Sequence, residues 1–593
     1  MSKESKQFKT GGQFLLDSIL DTEIFSREDF SDDHRDIYNM VMDFDREKIL
    51  SKKDEIEKHD PELCKSLLKE AGELGLLGID IPEKFGGTDL DKITTAITAE
   101  ALVCNPSFAV AWGVQTGIGA LPLIWFGTDE QKEKFLPKLA TGEMICAYGL
   151  TEPSSGSDAM EAKTTATLSD DKKHYILNGE KVFITNGGWA ELFTVFAQVD
   201  GNKFSAFLIE KGTEGFTVGP EEKKLGMKGS STTSLIFQNA KVPVENLLYE
   251  VGKGSTIAFN CLNIGRFKLG CSCLGGSKLA INAAANYAQE RKAFGTTISK
   301  LDAIIKKIGE MTIRTFATDS MIYRTIGLLQ NEIDLLDNKD SKYYIHMGEA
   351  MEKFAIETSM VKVFASETSQ YVLNEALQIY GGYGFLEDYP IASGYRDDRI
   401  NQIWEGTNEI NRQIIAGFTM KKALTEELPF HNAIANIEEY LSNNEQKSSD
   451  EILMNESQSV EASKRLALLI FNEALCKYGQ DLRHEQQITE MLSDTFTDIF
   501  TAESTIIRAK KIMASDSPES TVVDIAKVYT TEMEKRIMAN VRTITVAIFD
   551  EKIPKDFEEK LSNFENRMRL NNNVIGLKQK IAQYVFDQNK YPY

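Results

Sequence analysis

Between Tyr148 and Leu248 the chain alternates like sheet, and long helical blocks flank this stretch on both sides. The runs HYILNGEKVFITN, LFTVFAQVD, FSAFLIEK, GFTVG and SLIFQNAKVP are rich in β-branched and aromatic residues, with turn signals recurring about every ten residues. They predict an antiparallel sheet domain. Before it, from Ser31 to about Ala147, apolar positions such as Leu63, Leu67, Leu68, Ala71, Leu74 and Leu77 fall at the i, i+3, i+4 spacing of helices, broken at Gly78, Pro82–Gly87 and Pro106. After it, helix is predicted from about Lys253 to about Lys422, with a long break only near Gly381–Asp388. The remainder is helical in period but polar, with breaks at Ser442–Ser449 and Ser515–Ser520, and its default role is packing or docking. With 593 residues there is chain for several cores. The expected fold is therefore mainly α with a central β domain, divided as 1–147, 148–252, 253–425 and 426–593.

Several chemistries are excluded. A formal net charge of −22 opposes attraction to nucleic-acid phosphates. The six histidines never fall at i, i+4 and none lies in a ligand cluster, so no metal is expected. There is no G-x-x-x-x-G-K-[ST] and no G-x-S-x-G, and neither Gly270–Gly276 nor Gly381–Gly384 follows a strand in a βαβ unit. Seven cysteines, an odd number with no C-x-x-C pair, read as reduced thiols of a cytoplasmic protein. No run of 18 apolar residues is present, and the first twenty residues resemble neither a secretory signal nor a transit peptide. One amphipathic surface helix in the last block would suffice for membrane contact.

Three segments carry the candidate chemistry. Tyr148–Asp158, YGLTEPSSGSD, sets glycines and hydroxyls where helix gives way to strand, a loop able to offer N–H groups to a polar ligand. Val182–Gly187, VFITNG, ends a strand with an aromatic and a threonine suited to a planar ring. In Tyr395–Asn408, Glu405 lies between Trp404 and Gly406-Thr407 at an expected break in helix. A carboxylate beside an indole is partly desolvated, which raises its pKa and makes it a better base near neutrality.

In this order TEPSSGSDA (151–159), FITNG (183–187), RKAFG (291–295), QIYGGYGF (378–385) and WEGTNEI (404–410) resemble the signatures of the acyl-CoA dehydrogenases over about 35–416. The additional C-terminal helices resemble the very-long-chain branch. The resemblance implies FAD, with Tyr148, Leu150, Thr151, Gly156 and Ser157 on its ring and pyrophosphate. Phe183, Ile184 and Thr185 would cover the other side, although many members have tryptophan at the position of Phe183. Thr407 and Glu409 are further cofactor contacts by the same resemblance. Arg291, Phe294, Gln378, Gly381 and Gly382 resemble residues that hold the FAD of a neighbouring subunit, which implies at least a homodimer.

The implied reaction is α,β-dehydrogenation of a fatty acyl-CoA, in which Glu405 takes the α proton and flavin N5 takes the β hydride. Ser157, Arg266, Trp404 and Gly406 would contact substrate, and electron-transfer flavoprotein would take the electrons. The Glu405 N–H and a ribityl hydroxyl would stabilise the enolate-like carbonyl oxygen. Gly113, Gly117 and Gly119 lie in the helix that would floor the acyl pocket, where absent side chains leave either a deep channel or close helix packing. An acyl-CoA oxidase shares fold and base. A flavin-containing DNA-binding protein would need a basic face, and an inert scaffold would not need Glu405.

Overall fold

The computed structural model describes residues 10–443 and 451–593. Most of the Ser442–Ser449 break lies outside the described residues.

The first block holds α1 (Asp32–Phe44), α2 (Lys53–Ile56), α3 (Pro61–Glu73), α4 (Lys92–Ala101), α5 (Pro106–Gln115), α6 (Leu121–Phe126) and α7 (Asp129–Thr141). Local chemistry sets several of these boundaries. Asn105 caps α5 by accepting from the Phe108 N–H at 2.8 Å, and Pro106 takes the first turn, where its missing N–H costs nothing. Thr128 and Gln131 form a capping box that starts α7, and Gly142 ends it at φ 72°.

Next come β1 (Cys146–Gly149), β2 (Thr165–Leu168), β3 (His174–Thr185), β4 (Leu192–Val199), β5 (Lys203–Glu210), β6 (Phe216–Glu221), β7 (Thr232–Pro243) and β8 (Leu247–Leu248). The sheet runs β6-β7-β3-β2-β4-β5-β8, with β1 also on β4. It is mixed rather than purely antiparallel, because β1 and β2 both pair with β4 in parallel. Such pairings need crossovers instead of hairpins, which strand texture does not reveal. The β3–β7 register shifts between Lys181 and Ile184. That irregularity re-aims the strand end, leaving Phe183 67% exposed at φ 61° while Ile184 turns into the core.

The bundle that follows contains α8 (Gly254–Glu290), β9 (Lys292–Ala293), β10 (Thr296–Thr297), α9 (Asp302–Ile333), α10 (Tyr343–Lys353), α11 (Ala355–Tyr380), α12 (Pro390–Asp398) and α13 (Asn408–Leu424). Helix is interrupted at more points than Gly381–Asp388. A β9–β10 hairpin turns through Phe294 and Gly295, both at positive φ, and further gaps follow α9 and α12.

Finally come α14 (Phe430–Ala435), α15 (Ile437–Ser442), α16 (Met454–Tyr478), α17 (Gln486–Met513), α18 (Thr521–Ile548), α19 (Lys555–Met568) and α20 (Val574–Gln588). These helices are not a loosely attached unit. One continuous core runs from Phe14 through the sheet and α8 to Ile581. On α9, a Cβ at Gly309 would stand 2.8 Å from the Lys578 carbonyl oxygen of α20, so the two backbones nearly touch.

Buried ion pairs tie the N-terminal segment to the C-terminal helices. Arg508 on α17 reaches Glu28 at 3.0 Å and Asp319 at 3.4 Å, and Lys278 bridges Asp319 and Glu100 at 2.6 and 2.9 Å. Burial alone would raise the Asp319 carboxyl, but Arg27, Lys278 and Arg508 overcome it and hold it well below the usual range. Among the described residues, no helix is long and apolar enough to cross a membrane.

Candidate active site

Glu405 sits in the gap between the 3-10 turn Arg399–Gln402 and α13. Its backbone is left-handed, φ 56°, and Gly406 follows at φ 80°. A non-glycine residue in that region is strained by roughly 1–2 kcal/mol, so neighbours must hold it there. Asn411, fully buried on α13, donates its amide to the carbonyls of Gly406 at 2.8 Å, Thr407 at 3.1 Å and Glu405 at 3.4 Å. Arg266 on α8 donates Nε–H to the Glu405 carbonyl at 3.2 Å and is held by Asn263 at 2.9 Å. Thr407 caps α13 by accepting from the Ile410 N–H, and the exposed Glu409 lies in that first helical turn.

The residue is half-buried, but its carboxylate Oε2 is sealed from solvent and has no hydrogen-bond partner in the protein. A wall beside it is α8 at Gly265, where any Cβ would collide with the carboxylate. The neighbouring Trp404 has its indole N–H tied to Asn401 at 3.1 Å. Burial pushes the Glu405 pKa up to about 7, against the pull of Arg266, Lys362 and Lys268.

Burial also lowers those cations, Arg266 to about 10 and Lys362 and Lys268 to about 8. The lysines are held by neutral oxygens: Lys362 by Asn408 Oδ1 at 2.7 Å, Lys268 by Thr116 Oγ1 at 2.7 Å. The site therefore places an unpaired, readily protonated carboxylate among cations that do not quench it. That arrangement is competent for proton abstraction near neutrality.

Glu405, Trp404 and Thr185 line one cavity of about 400 Å³. Its longest wall is the α8 stripe Gly265, Lys268, Leu269, Ser272, Cys273, Gly276, Leu279, Ala280 and Ala283, spaced i, i+3, i+4 on one helix face. From Gly265 to Ala283 that stripe extends roughly 27 Å at ~1.5 Å per residue. The candidate floor glycines divide. A Cβ at Gly113 would meet nothing within 4 Å, so that glycine opens onto the cavity. Gly119 serves close packing, since its Cβ would lie 2.6 Å from Cys146 Sγ. At Gly117 a Cβ would lie 2.6 Å from the Gly113 carbonyl oxygen and 3.5 Å from Lys268 Nζ, so it too is closely packed. Contrary to the expectation that all three share one helix, only Gly113 lies in α5, and Gly117 and Gly119 follow its end.

The two segments predicted to face a planar ring meet. The Val182 N–H donates to the Thr151 carbonyl at 2.9 Å, and buried Lys181 binds the Leu150 carbonyl at 3.2 Å and Glu152 at 2.6 Å. Tyr148 is buried in β1 with its hydroxyl unpartnered, while Gly156 and Ser157 are exposed and Gly156 has open space around it.

Arg291, Phe294, Gln378, Gly381 and Gly382 are not brought to Glu405. They form a separate exposed group, in which the Arg291 guanidinium lies 5.6 Å from the Tyr383 ring centre. Along α8, Arg291 is roughly 37 Å beyond Arg266. Phe294 there is 92% exposed and Phe385 is 83% exposed.

Sequence reasoning missed Asn411, Lys268 and Lys362. The asparagines of Asn408-Glu-Ile-Asn411 share a helix face, a signal that could have marked Asn411. The lysines sit within apolar helices with no acidic neighbour at i±4, which gave no comparable signal. Among the described residues there is no group of three His, Cys, Asp or Glu able to hold a metal.

Helices, sheet, bundle and a buried carboxylate over an apolar channel together define the enzyme class, and comparison with known proteins agrees. Family models match in chain order: acyl-CoA dehydrogenase N-terminal domain at 31–143, middle domain at 147–240, C-terminal domain at 252–419, and a further acyl-CoA dehydrogenase C-terminal domain at 462–552. A probable acyl-CoA dehydrogenase of Bacillus subtilis is 41% identical over 595 residues, covering 100% of both chains. A very long-chain specific acyl-CoA dehydrogenase, mitochondrial, of Bos taurus is 31% identical over 87% of this chain and 80% of its own. A crystal structure of an acyl-CoA dehydrogenase complexed with FAD from Bacillus anthracis superposes with a TM-score of 0.95 at 41% identity, over 99% of this chain and 100% of that one. The chain belongs to the acyl-CoA dehydrogenase family of oxidoreductases.

Proposed function

We propose that the protein is an FAD-dependent dehydrogenase that forms trans-2-enoyl-CoA from long-chain fatty acyl-CoA. The carrying observation is Glu405: a buried, unpartnered carboxylate with its pKa pushed up to about 7, at one end of an apolar channel. Its role is to take the α proton. Loss of that proton leaves negative charge on the thioester carbonyl oxygen, and the Glu405 N–H is a donor positioned by Arg266 and Asn411 through their grip on the adjoining carbonyls. Exclusion of water keeps the base strong and its orientation fixed.

The residues present fit FAD. Open backbone at Gly156, Gly381 and Gly382 leaves room for a close ligand, Phe183 presents an exposed ring, and the Tyr148 hydroxyl is buried without a partner. Tyr148, Leu150, Thr151, Gly156, Ser157, Phe183, Ile184, Thr185, Thr407 and Glu409 are the proposed cofactor residues, with Ile184 acting from the core side. When bound, FAD supplies the acceptor for the β hydrogen and its electron pair. Arg291, Phe294, Gln378, Gly381 and Gly382 serve the cofactor of a second copy, since their exposed aromatic patch needs a partner and they lie too far from Glu405. Ser157, Arg266, Trp404 and Gly406 are the proposed substrate contacts. Electron-transfer flavoprotein is the proposed acceptor.

The long-chain assignment is supported by channel length. The α8 wall of roughly 27 Å exceeds the ~15 Å that one acyl leaflet occupies in a bilayer core about 30 Å thick. Its test is kcat/KM for saturated acyl-CoAs of four to twenty carbons with an artificial acceptor. The reading predicts a maximum at long chains, and a maximum at four carbons would overturn it.

A further inference from the structure

Helix α13 begins at Asn408, just after Glu405, and carries Asn411, whose amide grips the carbonyls of Glu405, Gly406 and Thr407. Where the carboxylate stands therefore depends on where α13 stands. Two helices hold its first turns, α11 from the bundle and α17 from the C-terminal block. On α11, Lys362 Nζ donates to Asn408 Oδ1 at 2.7 Å, and the Asn408 amide donates to Glu367 at 3.1 Å and Ser366 Oγ at 3.2 Å. On α17, the Ser493 hydroxyl donates to the Arg412 carbonyl at 2.6 Å and the Thr489 hydroxyl to Gln413 Oε1 at 2.9 Å.

Arg412, the residue after Asn411, joins the two helices. Its guanidinium meets Glu367 of α11 at 2.8 Å and Asp494 of α17 at 2.7 Å. The arginine side chain is largely buried, whereas both carboxylates are partly exposed. Partly exposed ion pairs add little to stability. A planar guanidinium shared between two helices nevertheless fixes their separation, because its donors point in set directions. What the triad supplies is placement. The left-handed backbone of Glu405 relaxes if Asn411 retreats, and a shift of about 1 Å in a reacting group can cost roughly 10²-fold in rate. Other contacts of the C-terminal block have no such route to the base: Lys578 on α20 meets Glu310 on α9 at 2.9 Å and makes no bond to α13.

We infer that Asp494 and Arg412 are positioning residues for the reaction at Glu405, so that α17 brings the C-terminal block into the scaffold of the active site. The inference rests on the reading of Glu405 as the base that takes the α proton. In this arrangement α17 fixes α13, α13 fixes Asn411, and Asn411 fixes the backbone of the base. None of the links touches substrate, so binding is left alone while the proton transfer loses its alignment when a link is cut.

The test measures the rate constant of flavin reduction at saturating acyl-CoA, together with KM, for the FAD-loaded enzyme and for Asp494→Ala, Asp494→Asn, Arg412→Met and Lys578→Met. Expected in Asp494→Ala is a fall of about three- to tenfold in the rate constant with KM changed by less than about twofold, and a larger fall in Arg412→Met. Asp494→Asn, which keeps an oxygen for the Arg412 Nε–H, retains most of the rate. Lys578→Met, which loosens the same block elsewhere, keeps the wild-type rate constant per folded molecule. A wild-type rate constant in Asp494→Ala would overturn the inference, and Asp494 is exposed enough for that variant to fold where Arg412→Met does not. An equal fall in Lys578→Met would overturn it too, by tracing the effect to general loosening. No flavin reduction in the wild type would instead bring down the reading of Glu405 on which the inference rests.

Discussion

The protein buries charge in two places and treats it in opposite ways. At the junction of the N-terminal segment with the C-terminal helices, Arg27, Arg508 and Lys278 are matched by Glu28, Glu100 and Asp319, nearly every charge with a partner. Around Glu405, one carboxylate and three cations share a region in which the lysines bond to neutral oxygens and the carboxylate to nothing in the protein. Paired buried charges settle the carboxyls low and make them inert at neutral pH. Unpaired burial moves Glu405 to about 7, where a proton can be taken and returned. The first arrangement fixes the shape, while the second keeps a group reactive at some cost in stability.

Substitutions can separate the two. Glu405→Gln has the largest effect, lowering turnover by roughly 10²–10⁴-fold while acyl-CoA still binds, because the amide cannot accept the proton. Stopped-flow and equilibrium binding measure both halves; full turnover in that variant would end the assignment. The same variant reports on stability. A carboxyl whose folded pKa exceeds its unfolded value favours the fold at low pH, and that contribution is lost as pH rises from about 4.5 through about 7. Glu405→Gln is therefore expected to melt higher than wild type at pH 8, with the gap closing as pH falls below 7.

Arg508→Met should act oppositely. It leaves Asp319 and Glu28 without their guanidinium and costs about 3–5 kcal/mol of stability, read by denaturant unfolding, with unchanged kcat per folded molecule. Wild-type stability should drop as pH falls below about 4, as the depressed Asp319 and Glu100 are protonated, and the drop should be shallower in the variant.

Asn411→Ala removes the amide that grips the Glu405, Gly406 and Thr407 carbonyls and holds Glu405 left-handed, and about a tenfold fall in kcat with little change in KM is expected. Arg291→Ala should be the mildest for chemistry within one chain, lowering flavin content or dimer stability by sedimentation. Unchanged values for both would argue against a shared site.

Much of this was legible in the sequence, for reasons that differ between regions. Helical blocks around strands were readable because period is a local property, and the sheet appears where the alternation is. Glu405 stood out as a candidate base from its setting between Trp404 and Gly406-Thr407. The mixed sheet was not, since parallel pairing of β1 and β2 with β4 depends on long-range order. Nor was the β9–β10 hairpin, two residues per strand inside helical surroundings. The C-terminal helices read as a packing or docking block, but helical period could not show that Arg508 and the close approach of α20 to Gly309 are what pack them against the rest. Lys268 and Lys362 went unnoticed because a lysine in a helix looks solvated until the structure shows what covers it.

The central claim, that an unpaired carboxylate and a bound flavin desaturate acyl thioesters, is tested most directly by mixing the purified FAD-loaded enzyme with long-chain acyl-CoA without oxygen while following flavin absorbance. Rapid bleaching in the wild type, restored by an electron acceptor and nearly absent in Glu405→Gln, is the predicted result. A flavin that stays oxidised with every acyl-CoA tried, or one that bleaches equally in the variant, would contradict it.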